Sequence, residues 1–296
     1  MFALLCSALA LLWTAQGAWP AAGFPFLRIS AGARSASLAE AVTAVTDADP
    51  FAINPATLES QAGRYLGFSH SEWIQDIGHD EVSATSRFGS TDIGVAAQLF
   101  RADGLESRVG PTRDSLGDFG VYEWAVGVSA ARDLGLHLRC GVAFKLVRQS
   151  IFADAAGGGA LDFGLLYRLS ELWRLGMAVR NLGTVSRLDR ESTDLPRQLR
   201  VGATCDLTDR LMLSADSQHN EGSESTSVHI GVQWHSVERL TLRGGYQTAE
   251  NRSVSAGFGL ALDRWLVDYA YLPFESDLGA AHRFSIQVSP GGGGAR

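Results

Sequence analysis

Hydrophobic residues recur at every second position in segment after segment of this 296-residue chain. In one segment the alternating residues are Val254, Ala256, Phe258, Leu260 and Leu262. In another they are Val228, Ile230, Val232 and Trp234. Alternation at period two places one residue type on each face of a β-strand. The pattern therefore predicts an all-β fold built from many amphipathic strands.

Fourteen segments after residue 63 show this alternation, some of them weakly. We predict strands at 64–74, 80–89, 92–101, 122–132, 136–148, 160–169, 172–182, 197–207, 210–218, 226–236, 239–248, 252–263, 264–272 and 281–288. Short turns alternate roughly with longer polar loops, which are predicted at 102–121, 149–159, 183–196, 219–225 and 273–280. An even strand number, with short turns at one end and long loops at the other, is typical of bacterial outer-membrane barrels. Residues 63–290 are therefore predicted to form an antiparallel transmembrane β-barrel of about 14 strands.

Composition separates this barrel from its alternatives. No run of 18 apolar residues follows residue 17, so helical membrane spans are not predicted. A soluble β-sandwich also alternates, but 19% of the residues here are charged, compared with about 25% in soluble domains. The polar strand faces are rich in glycine, alanine and serine, which favours the barrel. A net charge of −7 without a Lys/Arg run argues against nucleic-acid binding.

The beginning of the chain has the pattern of a secretion leader. Ala3–Trp13 is apolar, and Ala15-Gln16-Gly17 provides small residues at the cleavage position. No Lys or Arg precedes the apolar stretch, and a buried N-terminal helix is the alternative interpretation. We predict a signal peptide at 1–17, a glycine-rich tail at 291–296 and a location in the bacterial cell outer membrane.

Residues 18–62 differ from the strands that follow. The stretch from 31 to 48 is rich in alanine, glycine, serine and threonine and shows little alternation. Pro50 and Pro55 restrict the residues before them to extended geometry. Because this segment is too polar to face lipid, we predict that it folds into the mouth or lumen of the barrel as a hatch.

Charged side chains fall mainly on the strand face opposite the apolar one. An Arg or Lys facing lipid at mid-depth would cost about 2–4 kcal/mol, so the charged face is predicted to line the lumen. The candidate lumen-facing residues are Arg139, Lys145, Asp162, Arg168, Arg180, Arg200 and Arg243. Since both signs are present, we expect a lattice of salt bridges across the lumen. A dedicated ligand site among these residues is the alternative.

Motifs that carry chemistry are weak in this sequence. No serine lies in a Gly-x-Ser-x-Gly elbow. His229 and His235 share a strand face but lie about 20 Å apart along it, which is too far to chelate a metal. Gly157-Gly158-Gly159 lacks the Lys-Ser/Thr of a phosphate-binding loop and is predicted to be a flexible loop. We therefore predict no catalytic residue, metal or cofactor and no enzymatic activity, with an outer-membrane hydrolase as a minor alternative.

Several stretches of the chain resemble one family of barrels. They are Phe26–Ile29, Gly32–Leu38, Ala44–Asp49, Asn54-Pro55-Ala56, Leu175–Gly183, Pro196–Gly202 and Leu242–Tyr246. In these stretches the chain is similar to the PorV/PorQ family, which belongs with the FadL-like outer-membrane barrels. The resemblance implies an N-terminal hatch in which Asn54, Pro55 and Ala56 form a gating element. One departure is Leu38-Ala39-Glu40, where the family often has Met-Gly-Gly, and it changes the expected backbone of the hatch.

The resemblance implies two possible roles. FadL-like members conduct hydrophobic molecules, so the partners would be outer-membrane lipid and hydrophobic small molecules. PorV-like members assist type IX secretion, so the partners would be secreted proteins docked on the long loops of a non-conducting barrel. We take passage of hydrophobic cargo or a secretion-accessory role as the predicted function, since the Asn54-Pro55-Ala56 match does not choose between them.

Overall fold

The computed structural model of the protein describes most of the chain. The described residues are 23–47, 49–51, 53–60, 64–73, 77–108, 110, 116–152, 154–187, 194–221, 225–248, 253–274 and 279–289. The predicted signal peptide and glycine-rich tail lie outside the described residues, as do 18–22 and 61–62 of the predicted hatch. Within these ranges, no helix has both the length and the apolar character needed to cross a membrane.

Fourteen β-strands make up the body of the molecule. They are Arg64–Glu72 (β1), Gly78–Phe88 (β2), Thr91–Ser107 (β3), Gly117–Gly135 (β4), Leu138–Ile151 (β5), Asp154–Arg168 (β6), Trp173–Val185 (β7), Gln198–Thr208 (β8), Leu211–Asn220 (β9), Ser225–Val237 (β10), Leu240–Gln247 (β11), Val254–Leu262 (β12), Trp265–Pro273 (β13) and Ala280–Val288 (β14). Each predicted strand corresponds to one of these observed strands.

The strands form a closed antiparallel barrel in which each pairs with its neighbours in sequence. Closure occurs between β1 and β14, where Phe68 lies opposite Ile286. The predicted fold class, a 14-stranded antiparallel barrel, is confirmed. The tight turns between β2 and β3 and between β8 and β9 lie at one end of the barrel, here called the short-turn end. The opposite end, which carries the connections β1–β2, β3–β4 and β7–β8, is called the long-loop end.

Successive residues alternate between the lumen and the outside. On β5, Val142, Phe144 and Leu146 point outward and are 40%, 42% and 48% exposed, whereas Arg139 and Lys145 point inward and are buried. The same arrangement recurs on the other strands, so an apolar band surrounds the barrel and polar groups fill its inside. This distribution is the one that a lipid exterior requires.

The four longest strands, β3 to β6, are neighbours in the barrel. β3 to β6 contain 17, 19, 14 and 15 residues, whereas β12 to β14 contain 9 each. The predicted loops 102–121 and 149–159 are therefore largely wrong, because strand pairing continues through them. Gly157–Gly159 is part of β6 and not a flexible loop, since Gly158 pairs with Val147 and Val185. Beyond the apolar band the outer face of a strand need not be apolar. The strands therefore continue to pair there although their hydrophobic residues no longer alternate with polar ones.

The described N-terminal residues 23–47, 49–51 and 53–60, here called the N-terminal segment, lie inside the barrel. They include a 3-10 turn at Pro25–Arg28, the short helix α1 at Ala33–Ser37 and a 3-10 turn at Pro55–Thr57. At the long-loop end, the Gly23 N–H donates to the Asp194 carbonyl over 3.0 Å. Near the short-turn end, the Ser60 N–H donates to Asp92 over 3.2 Å. The segment therefore descends through the lumen from the long-loop end to the short-turn end.

Candidate functional site

The Asn54-Pro55-Ala56 turn is the lower contact between the N-terminal segment and the wall. Asn54 is fully buried, and its side-chain oxygen accepts from the Ala56 N–H over 2.9 Å. Its amide nitrogen donates to the carbonyls of Thr43, at 2.8 Å, and Leu165 on β6, at 2.9 Å. Proline suits the first position of such a turn because its missing N–H would have had no partner there. One side chain thus joins the turn, the rest of the segment and the barrel wall.

Two wall glycines allow this close approach. A Cβ atom on Gly164 would overlap the Asn54 side chain, and one on Gly141 would overlap the backbone of Pro55 and Ala56. Both glycines lie on the lumen face of their strands. The wall opposite the turn is therefore made of backbone, which brings the Leu165 carbonyl within reach of Asn54.

Arg139 fixes the chain just beyond the turn. Its Nε donates to the Ala56 carbonyl over 3.1 Å, and a terminal nitrogen donates to the Leu58 carbonyl over 2.5 Å. The same guanidinium pairs with Asp92 and, at 3.0 Å, with Asp133. Because a guanidinium offers five donors in a fixed fork, one side chain satisfies two carbonyls and two carboxylates at the short-turn end.

Arg200 has the same role in the middle of the lumen. It is fully buried and donates to the Glu40 carbonyl over 2.6 Å. It also lies 3.4 Å from Asp216, which accepts from the Thr43 N–H at 2.9 Å and from the Thr43 hydroxyl at 2.6 Å. Thr204 donates to the Ala44 carbonyl over 2.9 Å. The irregular backbone of the segment thus finds its hydrogen-bond partners on the wall, as a buried backbone must.

The upper part of the segment is held by serines on β12 and β14 and by Arg283 on β14. Arg283 donates to the Ser30 carbonyl, and the Ala33 N–H donates to Ser285 over 2.8 Å. The Ala39 N–H donates to Ser255 over 3.0 Å. These serines lie on the lumen faces of their strands but carry no pattern that distinguishes them in sequence. Sequence reasoning therefore missed them.

The other candidate lumen residues pair mainly within the wall. Lys145 lies 2.5 Å from Asp162, and Arg180 lies 3.9 Å from the same carboxylate. Arg243 lies 2.5 Å from Asp268. These residues are buried on the lumen face, and Lys145 also lies 5.4 Å from the centre of the Phe51 ring of the N-terminal segment.

Arg168 is placed differently. It is the last residue of β6 and is exposed at the short-turn end. None of the ion pairs among the described residues includes it. The predicted set therefore comes together only in part: Arg139 and Arg200 hold the N-terminal segment, four others pair across the wall, and Arg168 stands apart.

A small polar cavity of about 20 Å³ separates the N-terminal segment from β1, β2 and β14. That volume is enough for one water molecule. Asp49 and Asp47 of the segment and Glu81 of the wall line the cavity. Burial and the neighbouring Asp47 raise the pKa of Asp49 to about 6, although the Phe51 N–H, which donates over 2.7 Å, opposes the rise. Near neutral pH this carboxyl therefore changes charge inside the lumen.

The lumen also has an apolar side, which the sequence did not reveal. At the long-loop end, Phe24, Phe26, Leu27 and Phe51 of the N-terminal segment pack against small and branched wall residues. The wall contribution comes from Ala96, Ala125, Val147, Ala156, Ala160 and Leu195. These wall residues lie on β3 to β6 and on the connection after β7. The tall side of the barrel thus encloses an apolar cluster filled by phenylalanines of the segment.

Known structures share this architecture. The Ralstonia pickettii toluene transporter TbuX is 18% identical, with a TM-score of 0.63 over 87% of this chain and 96% of its own. The Pseudomonas putida toluene transporter TodX is 14% identical, with a TM-score of 0.59 over 79% and 90%. A Pseudomonas aeruginosa FadL homologue is 12% identical, with a TM-score of 0.60 over 86% and 97%. The fold is that of a FadL-like barrel.

Sequence comparisons add little to the FadL-like fold. The model of an uncharacterised protein family, UPF0164, matches residues 15–160. No curated protein matches the sequence. The two toluene proteins are described as transporters. Similarity to the PorV/PorQ family stays a prediction.

Proposed function

We propose that this FadL-like barrel carries hydrophobic molecules across the bacterial outer membrane and that the N-terminal segment is its hatch. The observation that carries the proposal is the apolar cluster inside the lumen, because barrel lumens are ordinarily polar. Apolar lining in a water-accessible channel is useful where the cargo is itself apolar. Two structures with the same fold are described as toluene transporters, which supports this class of cargo.

The placement in the outer membrane is part of the proposal. An apolar outer band suits lipid, and in bacterial barrels short turns face the periplasm while longer connections face outward. The short-turn end would then face the periplasm, and the tall wall of β3 to β6 would stand on the cell surface. Cargo entering from outside would meet the apolar cluster first.

The Asn54-Pro55-Ala56 turn is proposed as the latch of the hatch. Asn54 and Arg139 hold this part of the segment against the wall just above the short-turn end. Passage to the periplasm requires the segment to move there, and the hydrogen bonds of these two residues oppose that movement. The latch therefore sets how often the lumen opens.

Deletion of residues 24–60 tests the proposed hatch. The deleted barrel, expressed in a Gram-negative host, is expected to raise outer-membrane permeability to hydrophobic dyes and to small polar antibiotics. Its gel mobility must still shift on boiling in detergent, which shows that the barrel has folded. A folded deletion variant with unchanged permeability would refute the hatch.

A second candidate is a non-conducting barrel that docks secreted proteins, as the PorV/PorQ resemblance suggests. The tall wall of β3 to β6 favours it, because it offers a projecting surface beyond the membrane band. Shortening the β3–β4 hairpin between 103 and 119 would then abolish secretion of C-terminally tagged substrates without changing hydrophobic uptake. Loss of uptake instead would favour the conduit.

A further inference from the structure

A row of three polar side chains and one phenylalanine crosses the apolar side of the lumen. His79, Phe100, Glu123 and Gln149 lie opposite one another in register on β2, β3, β4 and β5. His79, Glu123 and Gln149 are all buried. We call these four residues the Glu123 row. Its polar groups lie directly beside the apolar cluster, so a bound molecule there would meet both kinds of surface.

Glu123 differs from the paired carboxylates of the lumen wall. Asp92, Asp162, Asp216 and Asp268 each have a lysine or arginine partner. Within the described part of the chain, no lysine or arginine pairs with Glu123. Its Oε1 accepts from the Gln149 amide, while its Oε2 is buried without a hydrogen-bond partner among these residues. Neither ring nitrogen of His79 makes a well-formed hydrogen bond there.

Unsatisfied buried polar groups of this kind point to a missing partner. A buried acceptor without a donor is costly, and a ligand that supplies the donor recovers that cost. When Glu123 is ionised, a carboxylate ligand would instead place a second negative group beside it, with no lysine or arginine among the described residues paired to Glu123. Like-sign contacts of this type exclude the wrong ligand as effectively as attractive contacts select the right one.

The N-terminal segment already imitates such a ligand. The Phe26 ring lies 6.2 Å from the His79 ring and 6.4 Å from the Phe100 ring, measured between centroids. An apolar group of the chain itself therefore occupies the row in the closed barrel.

The stretch that covers the row meets the wall mainly through the buried side chains of Phe24, Phe26 and Leu27. Its backbone contact to the wall at the upper end is the Gly23–Asp194 hydrogen bond. The Arg283 contact to Ser30 comes only after it. A hydrophobic molecule that replaces this packing can displace residues 23–29 while Arg283, Arg200 and Arg139 still hold the segment below.

We propose that the Glu123 row recognises hydrophobic cargo bearing a hydrogen-bond donor, such as a long-chain alcohol or amine, and disfavours carboxylates. This inference rests on the proposed function, because it names the cargo of the same lumen. The row supplies the hydrogen-bond acceptor, and the apolar cluster packs against the apolar body of the cargo. Phe26 is the part of the chain that the cargo displaces.

A matched ligand series tests the proposal on the full-length protein in lipid nanodiscs. Diphenylhexatriene, which has no polar group, serves as the fluorescent probe, and 1-dodecanol, dodecylamine and dodecanoate compete with it. Empty nanodiscs give the background for partition into lipid. The alcohol and the amine are expected to displace the probe at concentrations about tenfold lower than dodecanoate. Equal or better competition by dodecanoate, or no displacement by any of the three, would overturn the proposal.

Variants assign the preference to particular residues. Glu123→Gln removes the carboxylate and is expected to abolish the preference, whereas Glu106→Gln, the same change at an exposed hairpin position, leaves it intact. Phe26→Ala uncovers the row and is expected to tighten binding of all three ligands with the preference kept. A preference that survives in folded Glu123→Gln would assign recognition elsewhere and reject the row. If that variant does not fold, the ligand preference measured on the wild type and on Phe26→Ala still tests the proposal.

Toluene uptake by cells, measured in parallel, separates this inference from the proposed function. Uptake without any ligand preference would reject the Glu123 row and leave the conduit standing. Absence of uptake by a folded barrel would reject the conduit, whatever the binding series shows.

Discussion

Arg139→Ala should release the lower part of the N-terminal segment without unfolding the barrel. The guanidinium contacts two segment carbonyls and two carboxylates. Its pairs with Asp92 and Asp133 lie within the wall and exist in both the docked and the released state, so only the bonds to the Ala56 and Leu58 carbonyls hold the segment. A hydrogen bond to a charged group contributes about 1.5–3 kcal/mol, so the loss of these two should weaken docking by about 3 kcal/mol. Asp92 keeps Arg87 at 2.9 Å as a partner, so the barrel wall stays folded. Since 1.4 kcal/mol is a factor of ten, the released state should become about 100-fold more populated.

Hydrogen exchange measured by mass spectrometry detects this release. Amides of residues 54–60 should exchange about 100-fold faster in Arg139→Ala than in the wild type, because exchange follows the population of locally opened states. Arg168→Ala is the matched control, since Arg168 is exposed at the same end and does not contact the segment. Exchange in 54–60 that is equal in Arg139→Ala and Arg168→Ala would refute the reasoning that these bonds hold the segment.

Three further changes test other contacts. Asn54→Ala removes three hydrogen bonds and should speed exchange at 54–57 by an amount equivalent to about 1–3 kcal/mol. Gly164→Ala should lower the temperature of the gel-mobility shift, because its Cβ overlaps Asn54, whereas Gly159→Ala, whose Cβ meets its nearest neighbour at 3.4 Å, should not. Because the folded pKa of Asp49 is about 6 against an ordinary value of 3.8, its protonated form stabilises the docked segment below about pH 4, and that stabilisation is lost as the pH rises to about 6. Asp49→Asn should make exchange at 49–51 less dependent on pH over this range than in the wild type, and an identical pH profile would contradict this.

The strands were predictable from the sequence because the lipid exterior imposes one rule on all of them. Val142, Phe144 and Leu146 must be apolar to face lipid, and the residues between them need not be, so alternation marks the strand and both of its faces. The same rule explains the errors. Above the lipid band the outer face can be polar. The parts of β3 to β6 beyond their predicted bounds therefore show no hydrophobic alternation in the sequence.

The lumen was only partly predictable. Charges on the inner face indicated a lattice, and Lys145 with Asp162 is an example of it. The partners of the N-terminal segment are instead backbone carbonyls, and Arg283 reaches Ser30 across 253 positions of sequence. Such pairs follow from how the segment folds into the closed barrel, which no local pattern records. The apolar cluster was hidden for a similar reason, since alanines on β3 to β6 carry little signal until Phe24 and Phe26 pack on them.

Uptake of radiolabelled toluene by a Gram-negative host tests the central claim most directly. Cells that hold the full-length barrel, with its fold checked by the gel-mobility shift, are compared with cells carrying an empty vector and with cells holding Arg139→Ala. We expect faster uptake with the full-length barrel than with the vector, and faster uptake still with Arg139→Ala. Uptake at the vector rate by both folded barrels would contradict passage of hydrophobic molecules through this lumen.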